Sequence, residues 1–430
     1  MTSVERALSA HETAMILGDM RVVTVWEVHG DLDEPAVERA LHALAQVYPL
    51  IRGRITFRGE RASIHIPESD TPALRLHRAE DLTSELSVRG DWSEGPFLRM
   101  TLISEGRKHH LVGTLPRACV EGMGLIALQQ AFWTLYAAEC SGSPVTPTPV
   151  QPVLAPAIED RIAHKYSPSD LRDYVAQRAQ REAQSPPARL PSLVSPEGVP
   201  GSDPTFGTTR VGMDRATTSA LADIAHRNGM SVNSLVCGLV LAAVRSALEP
   251  STGPLRVGCG VAVDLRRRLT PPIPAEIMQS AASGFPVELL VDDDADPIEL
   301  GRELSARVRE NLDAETAEKE LAAFPYMVTQ FPPTCTLTNL GTIPVPALPG
   351  NQVVTDLRIL PMTRIPMPFV VISQFDGKLR LDITFGRACY TDAQIDDITA
   401  RTRDIVETTV SLHASAPEET RDSLDTGAPV

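Results

Sequence analysis

The chain lacks the features that mark a membrane, secreted or metal-binding protein. No apolar run approaches the roughly 18 residues that a membrane-spanning helix needs. The N-terminal segment has no basic stretch followed by a long apolar core, so the sequence predicts no signal peptide. The six cysteines are scattered without Cys-x-x-Cys spacing, which favours buried thiols over a zinc site or a disulfide framework. We therefore expect a cytoplasmic protein without a metal or another cofactor.

Positive charge is also in short supply. The chain has 40 Lys and Arg against 55 Asp and Glu, a formal net charge of -15. Phosphate backbones are bound by clustered basic residues, so this balance argues against a nucleic-acid partner. Gly-rich phosphate loops, Gly-x-Ser-x-Gly elbows and His-Glu-x-x-His pairs are all missing from the sequence. What remains is 430 residues, 43% of them hydrophobic, enough for two domains and a full core.

The spacing of apolar residues predicts an α/β (α+β) fold in two similar halves, each a mixed sheet flanked by helices. Asp33 can cap a helix in which Val37, Leu41 and Leu44 recur at three- and four-residue spacing. Another amphipathic helix follows Gly122. Short apolar runs predict strands at 97–103 and 111–115 in the first half, and at 208–213, 256–263, 287–291, 335–340, 369–373 and 379–385 in the second.

A proline-rich segment divides the two halves. Residues 185–204 have the composition of an extended crossover linker. The sequence therefore predicts one lobe over residues 1–184 and a second over residues 205–412. Residues 413–430 are polar and contain proline, which predicts a disordered tail.

The most informative segment is the loop between the strand that ends near Leu115 and the helix that follows. It reads Pro116-Arg117-Ala118-Cys119-Val120-Glu121-Gly122. This loop resembles the His-His-x-x-x-Asp-Gly motif of the condensation-domain superfamily, which includes the polyketide-associated acyltransferases and chloramphenicol acetyltransferase. Both histidines of the motif are replaced here, and its Asp is replaced by Glu.

Other segments resemble landmarks of the same superfamily in the same order, over about residues 1–410. They are Ser9-Ala10-His11-Glu12, Tyr48-Pro49-Leu50-Ile51-Arg52, Gly95-Pro96-Phe97-Leu98-Arg99, Val263-Asp264-Leu265-Arg266 and Thr338-Asn339-Leu340-Gly341. The resemblance implies two chloramphenicol acetyltransferase-like lobes in a V, with a substrate tunnel between them. The residues that it places at this tunnel are Pro116, Gly122, Asp264, Thr338 and Asn339.

The substitutions in the motif remove the superfamily's general base. Its second His takes a proton from the acceptor, whereas Arg117 stays protonated at neutral pH and offers only donors. Glu121 is the one ionisable acceptor left in the loop, and burial could raise its pKa although Arg117 would oppose that. Cys119 could form a thioester, but a small buried thiol is the more common role. The tandem His109-His110 lacks the motif's spacing, so we expect these residues to cap a strand or face solvent.

The cluster Arg266-Arg267-Arg268 has two interpretations. These residues can solvate the end of a buried strand. By the resemblance, they can instead meet the phosphate of coenzyme A or of the phosphopantetheine arm of an acyl carrier protein.

Three functions remain open. The first is a repurposed enzyme that binds a long polyketide-like molecule and promotes an intramolecular step such as cyclisation through shape and hydrogen bonding, with Arg117 as an oxyanion donor. The second is an acyltransferase that moves an acyl group from a coenzyme A or carrier thioester to an alcohol or amine with a substituted base. The third is a catalytically silent module that recruits partner proteins.

Overall fold

The computed structural model describes residues 3–59, 61–68, 74–143, 145–195, 200–327 and 332–414. Its strands are β1 (Val4–Ala7), β2 (Arg21–His29), β3 (Arg54–Arg58), β4 (Arg61–Ile66), β5 (Leu76–Arg78), β6 (Arg99–Glu105), β7 (Lys108–Pro116), β8 (Phe206–Gly212), β9 (Leu255–Asp264), β10 (Ala282–Val291), β11 (Cys335–Ile343), β12 (Val353–Met362), β13 (Phe369–Phe375) and β14 (Lys378–Gly386). Its helices are α1 (Ala10–Leu17), α2 (Glu34–Val47), α3 (Leu82–Ser87), α4 (Gly122–Cys140), α5 (Ile158–Ile162), α6 (Pro168–Gln184), α7 (Arg215–Arg227), α8 (Val232–Arg245), α9 (Pro297–Asp313), α10 (Thr316–Ala323) and α11 (Asp392–Ala414). Short 3-10 turns span Pro49–Arg52, Arg117–Cys119, Ala163–Lys165 and Phe324–Tyr326.

The strands form three sheets. A small antiparallel sheet has the order β1-β4-β3, a five-stranded sheet the order β12-β2-β7-β6-β5, and a six-stranded sheet the order β10-β9-β11-β13-β14-β8. Helices α2 and α4 pack against each other beside the five-stranded sheet, and α8 packs on α9 and α11 beside the six-stranded one. The predicted class, mixed sheets flanked by helices, is confirmed.

The local signals in the sequence account for most helix ends. Asp33 caps α2 as predicted, because its Oδ1 accepts a hydrogen bond from the Ala36 N–H at 2.9 Å. The polar stretch 158–184 is divided into α5, a 3-10 turn and α6. Ser167 starts α6 with a capping box and Pro168 follows at its first position, so a new helix begins there.

Each predicted strand is present, but the sequence analysis missed the strand that joins the two halves. β12 lies between β11 and β13 in the chain, but it pairs antiparallel with β2 of the five-stranded sheet. Asp356 and Arg358 interrupt its apolar pattern. Asp356 of β12 meets Arg210 of β8 at 2.5 Å, and Arg210 also binds Asp382 of β14 at 2.7 Å. This ion cluster ties the five-stranded sheet to the six-stranded one.

The predicted lobe boundaries stay a prediction. Residues 353–362 fall within the range of the second lobe, although their strand completes the sheet of the first. Within the predicted linker, residues 196–199 lie outside the described residues. The same is true of the predicted tail from residue 415 onward, while residues 413 and 414 end α11.

The described residues contain little that marks a membrane span or a metal site. No single helix there could span a membrane by length and apolarity; α7 and α8 pass that test only as a pair bent by 103°. The same residues hold no group of three or more His, Cys, Asp and Glu that could bind a metal ion.

Candidate functional site

The loop with the altered motif sits where the central strand of the five-stranded sheet ends. β7 runs to Pro116, the chain makes the 3-10 turn Arg117–Cys119, and α4 begins at Gly122. The Arg117 N–H donates to the Met20 carbonyl at 2.9 Å, which fixes the start of the turn beside β2. The loop is therefore held by backbone contacts on both sides.

Glu121 is the N-terminal cap of α4. Its two carboxylate oxygens accept hydrogen bonds from the backbone N–H groups of Met123 at 2.7 Å and Gly124 at 3.0 Å. The same carboxylate meets Nε of Arg266 at 2.5 Å, and both side chains are only 2% exposed. Because both carboxylate oxygens already accept hydrogen bonds from protein donors, Glu121 holds the loop in place. The geometry therefore corrects the expectation that Glu121 is a substitute base.

The guanidinium of Arg117 is anchored at one nitrogen. Nη1 donates to the Val120 carbonyl at 2.8 Å and to Oγ of Ser280 at 2.9 Å. Within the described part of the chain, Nε and Nη2 have no hydrogen-bond acceptor. Burial lowers the pKa of Arg117 while Glu121 opposes that shift, and a guanidinium still carries its charge at neutral pH. Arg117 is thus a fixed cation with unused donors.

Cys119 does not face a substrate. Its side chain is buried in the core beneath the loop, and burial raises the pKa of its thiol well above the usual range. A thiol that stays protonated is a poor nucleophile. The thioester hypothesis for Cys119 is therefore not supported by the geometry.

A cavity of about 160 Å³ lies between the two larger sheets at this loop. Arg117, Glu121 and Gly122 line it from the first half of the chain. Most of the remaining wall is aliphatic or aromatic, including Val22 and Met362. Pro116, which was expected at the tunnel, is buried as the last residue of β7 and does not line the cavity.

The second half contributes four polar residues to the same cavity: Asp264, Thr338, Asn339 and Thr363. Asp264 ends β9, and one of its oxygens accepts a hydrogen bond from the Arg266 N–H at 2.9 Å. Thr338 and Asn339 lie on β11 just before a shift in its register with β13. Gly341, with a φ of 67°, allows the bulge, and its N–H binds Oδ1 of Asn339 at 2.9 Å.

Asp264 has no cationic side chain in contact among the residues that the structure describes. Burial raises the pKa of its carboxyl, and the negative charge of Glu121 adds to that shift. Asp264 therefore contributes a destabilised carboxylate from the second half of the chain, whereas the cationic residues Arg21 and Arg117 line the cavity from the first half.

We expect Asp264→Asn to increase the free energy of unfolding at about pH 7. A carboxyl whose pKa is raised on folding binds protons more tightly in the folded state, so stability falls as the pH rises through the folded pKa. The amide cannot ionise but keeps an oxygen for the Arg266 N–H. Urea unfolding should show the gain at about pH 7 and a smaller gain at about pH 4. The gain shrinks because, as the pH falls, the Asp264 carboxyl becomes protonated in the unfolded state as well as in the folded one. A loss of stability at neutral pH would contradict the shift.

The arginine cluster after β9 does not form the predicted phosphate site. Arg266 is buried and donates to Glu121 and to the Pro274 carbonyl at 2.6 Å. Arg268 binds Glu318 at 2.7 Å and the Leu312 carbonyl at 2.6 Å. Arg267 alone is exposed. Because Arg266 and Arg268 are bonded to protein acceptors, this geometry does not support phosphate binding by either, and the buried Arg266 does not solvate the strand end.

The upstream histidines lie away from the loop. His109 and His110 are near the start of β7, whereas the loop follows its last residue. His109 is buried between Ser104 Oγ at 2.9 Å and the Gly30 carbonyl at 3.2 Å, so it does not face solvent as expected. His110 lies 3.3 Å from a carboxylate oxygen of Glu27. Neither is available as the missing base.

A third histidine, His11, lies near the loop, although no local signal in the sequence indicates this position. Helix α1 packs against the 3-10 turn of Arg117, and the His11 ring lies 4.9 Å from that of Phe324. Burial, with help from the charge on Arg117, lowers its pKa to about 4. His11 is not among the residues that line the cavity. Ser280, which anchors Arg117, gave no signal in the sequence.

The chain is similar to known proteins in part of its sequence and in its structure. Residues 202–391 match the C-terminal part of the phthiocerol/phthiodiolone dimycocerosyl transferase family. Polyketide synthase associated protein 5 from Mycobacterium tuberculosis has 16% sequence identity and a TM-score of 0.71, over 96% of this chain and 98% of that one. This chain has the condensation-domain fold. The predicted resemblance to that superfamily is confirmed at the level of the fold.

Other proteins with the condensation-domain fold catalyse different reactions. The trichothecene 15-O-acetyltransferase of Fusarium sporotrichioides has 12% identity and a TM-score of 0.75, with 94% of each chain covered. The epimerization domain of the third module of tyrocidine synthetase B has 14% identity and a TM-score of 0.69, over 96% of this chain and 98% of that one. No curated protein sequence matches this chain significantly. These similarities establish the fold but not the reaction.

Proposed function

We propose that this protein is an enzyme of natural-product biosynthesis that binds a long, polyketide-like molecule in the cavity between the sheets. There it promotes an intramolecular step such as a cyclisation, without a histidine base. The observation that carries this proposal is the composition of the cavity. Its described lining is largely apolar, includes Arg117 and Asp264, and contains no imidazole.

The geometry suggests a role for each of the two charged groups. The unused Nε and Nη2 donors of Arg117 can stabilise an oxyanion that develops on a substrate carbonyl. Asp264, whose pKa is raised, can accept the proton that the attacking group of the same molecule gives up. Holding both ends of one molecule together can supply about 7–11 kcal/mol of the barrier, so the loss of the histidine is tolerable.

A second candidate is acyl transfer with Asp264 as the substituted base. It is favoured by the presence of that carboxylate in the cavity, and by the transferase family matched in the second half of the chain. A coenzyme A or carrier thioester would then be the donor, and an alcohol or amine the acceptor. We place this candidate second because a carboxylate is ordinarily a weaker base than a neutral imidazole.

The proposal can be tested with the N-acetylcysteamine thioester of octanoate, a soluble mimic of a carrier-bound acyl chain, and octanol as the acceptor. Saturation-transfer NMR should detect binding of the thioester to the wild-type protein, and binding should weaken in Asp264→Leu or Arg117→Met. Chromatography should detect no octyl octanoate. Formation of that ester would overturn the proposal in favour of acyl transfer. A protein that neither binds nor converts the thioester would overturn both and favour the silent recruiting module.

A further inference from the structure

A second cavity, of about 360 Å³, lies at the edge of the five-stranded sheet. Its walls come from the start of β3, from β5 and from the segment between α3 and β6. No residue lines both this cavity and the one between the two larger sheets. Since one water molecule occupies about 30 Å³ in the liquid, this space can hold an organic molecule with a charged group.

The second cavity is strongly cationic in a protein that is acidic as a whole. Five arginines line it: Arg52, Arg54, Arg75, Arg89 and Arg99. Glu85 neutralises Arg99 through two hydrogen bonds, at 2.8 and 3.2 Å. The other four form no ion pair with any described residue. Against these four positive charges the lining has two carboxylates, Asp91 and Glu94, which leaves a net charge of plus two.

The unsatisfied polar atoms around this cavity are hydrogen-bond donors. Trp92 is only 7% exposed, and its Nε1 has no acceptor among the described residues. Nε of Arg52 is also buried without an acceptor. The indole is held in place by Gly90, where a Cβ would come within 2.5 Å of the ring. An indole and a guanidinium can only donate, so the missing partner must supply acceptor oxygens.

The carboxylates in the lining do not fill that need. Asp91 binds the Ser93 N–H at 2.9 Å and the Ser93 hydroxyl at 2.6 Å within its own turn. Nη1 of Arg52 donates to the Glu68 carbonyl at 3.3 Å, but Nε of Arg52 and Nε1 of Trp92 are buried without an acceptor, which is costly. An anion in the cavity would remove that cost. A phosphate monoester fits best because it carries about two negative charges at neutral pH and offers three strong acceptor oxygens. Arginine forks bind such oxygens in pairs.

We propose that this cavity is a ligand site for a small molecule that carries a phosphate group, distinct from the cavity between the two larger sheets. The buried Trp92 forms its floor beside the half-buried Arg52, and Arg54, Arg75 and Arg89 form its rim. The proposal is independent of the reaction proposed for the cavity between the two larger sheets.

The test follows the indole N–H signals of ¹⁵N-labelled protein. The chain has three tryptophans, and Trp92→Phe identifies the signal of the one at the cavity. Inorganic pyrophosphate is the probe, followed by orthophosphate and by malonate, which offers two carboxylates in place of phosphate. We expect pyrophosphate to shift the Trp92 signal and to leave those of Trp26 and Trp133 in place. Malonate should bind at least about tenfold more weakly than pyrophosphate.

Arg75→Gln and Arg89→Gln report on the rim, because both residues are exposed and their loss should not unfold the protein. Each should weaken pyrophosphate binding about tenfold. Arg267→Gln, an exposed arginine outside the cavity, is the matched control and should have no effect. An unmoved Trp92 signal, equal binding of malonate, or unchanged affinity in both Arg75→Gln and Arg89→Gln would each overturn the proposal. None of these readouts depends on catalysis.

Discussion

Glu121→Ala should lower the free energy of unfolding by about 3–5 kcal/mol, because it leaves Arg266 as an unpaired charge in the core. The loss of the ion pair with Arg266 is only part of the expected destabilisation. The variant also frees the backbone N–H groups of Met123 and Gly124 at the start of α4, which the carboxylate caps. Chemical denaturation of the wild-type and variant proteins, followed by circular dichroism, measures the difference.

An exposed ion pair provides the control for Glu121. Glu310→Ala removes a carboxylate that lies 3.3 Å from Arg307 on the surface of α9, and should change stability by less than about 1 kcal/mol. Combining Glu121→Ala with Arg266→Met should recover part of the loss, since the buried charge is then gone as well. If Glu121→Ala costs no more than the surface variant, the carboxylate does not hold the loop.

Arg117→His should create acyl transfer that the wild-type protein lacks. It places an imidazole at the end of β7, in the position of the superfamily's general base, and a general base contributes about 10²–10⁴-fold to the rate. The expected result is formation of octyl octanoate from the octanoyl thioester and octanol, at a rate at least about a hundredfold above that of the wild type. Chromatographic detection of the ester avoids interference from the protein's own thiols.

Arg117→Lys is the matched control, since it keeps a cation but has a different donor geometry. It should gain no ester formation. If Arg117→His and Arg117→Lys are equally inactive while both bind the thioester, the rest of the cavity has also diverged from acyl transfer. Activity in the wild-type protein would instead point to Asp264 as the working base. The proposal of altered chemistry predicts that only the imidazole variant makes the ester.

The sequence was sufficient for the fold and for the location of the loop. Helix α2 was predictable because Asp33 and the spacing of Val37 and Leu41 are local signals. The placement of Asp264 and Thr338 opposite Arg117 was implied by resemblance alone, since these residues come from distant parts of the chain. No local pattern brings them together.

What the sequence did not reveal is how the charged residues pair. Glu121 and Arg266 are 145 positions apart, and each was given a different role because a charge in a sequence carries no mark of its partner. Ser280 and His11 reach the neighbourhood of Arg117 through tertiary packing. The cationic cavity was missed for the same reason: its arginines are spread over residues 52–99 and form no run.

The path of β12 has a consequence for how the protein is made. β2 lies between β7 and β12, so it has an unpaired edge until residues 353–362 leave the ribosome. At about 5–20 residues per second, roughly tens of seconds separate the emergence of the two strands. During that interval the nascent chain exposes the unpaired edge of a nine-residue strand, which can pair with other chains. Truncated products that stop before residue 353 should therefore aggregate, and chaperones that bind nascent chains should be needed most over this part of synthesis.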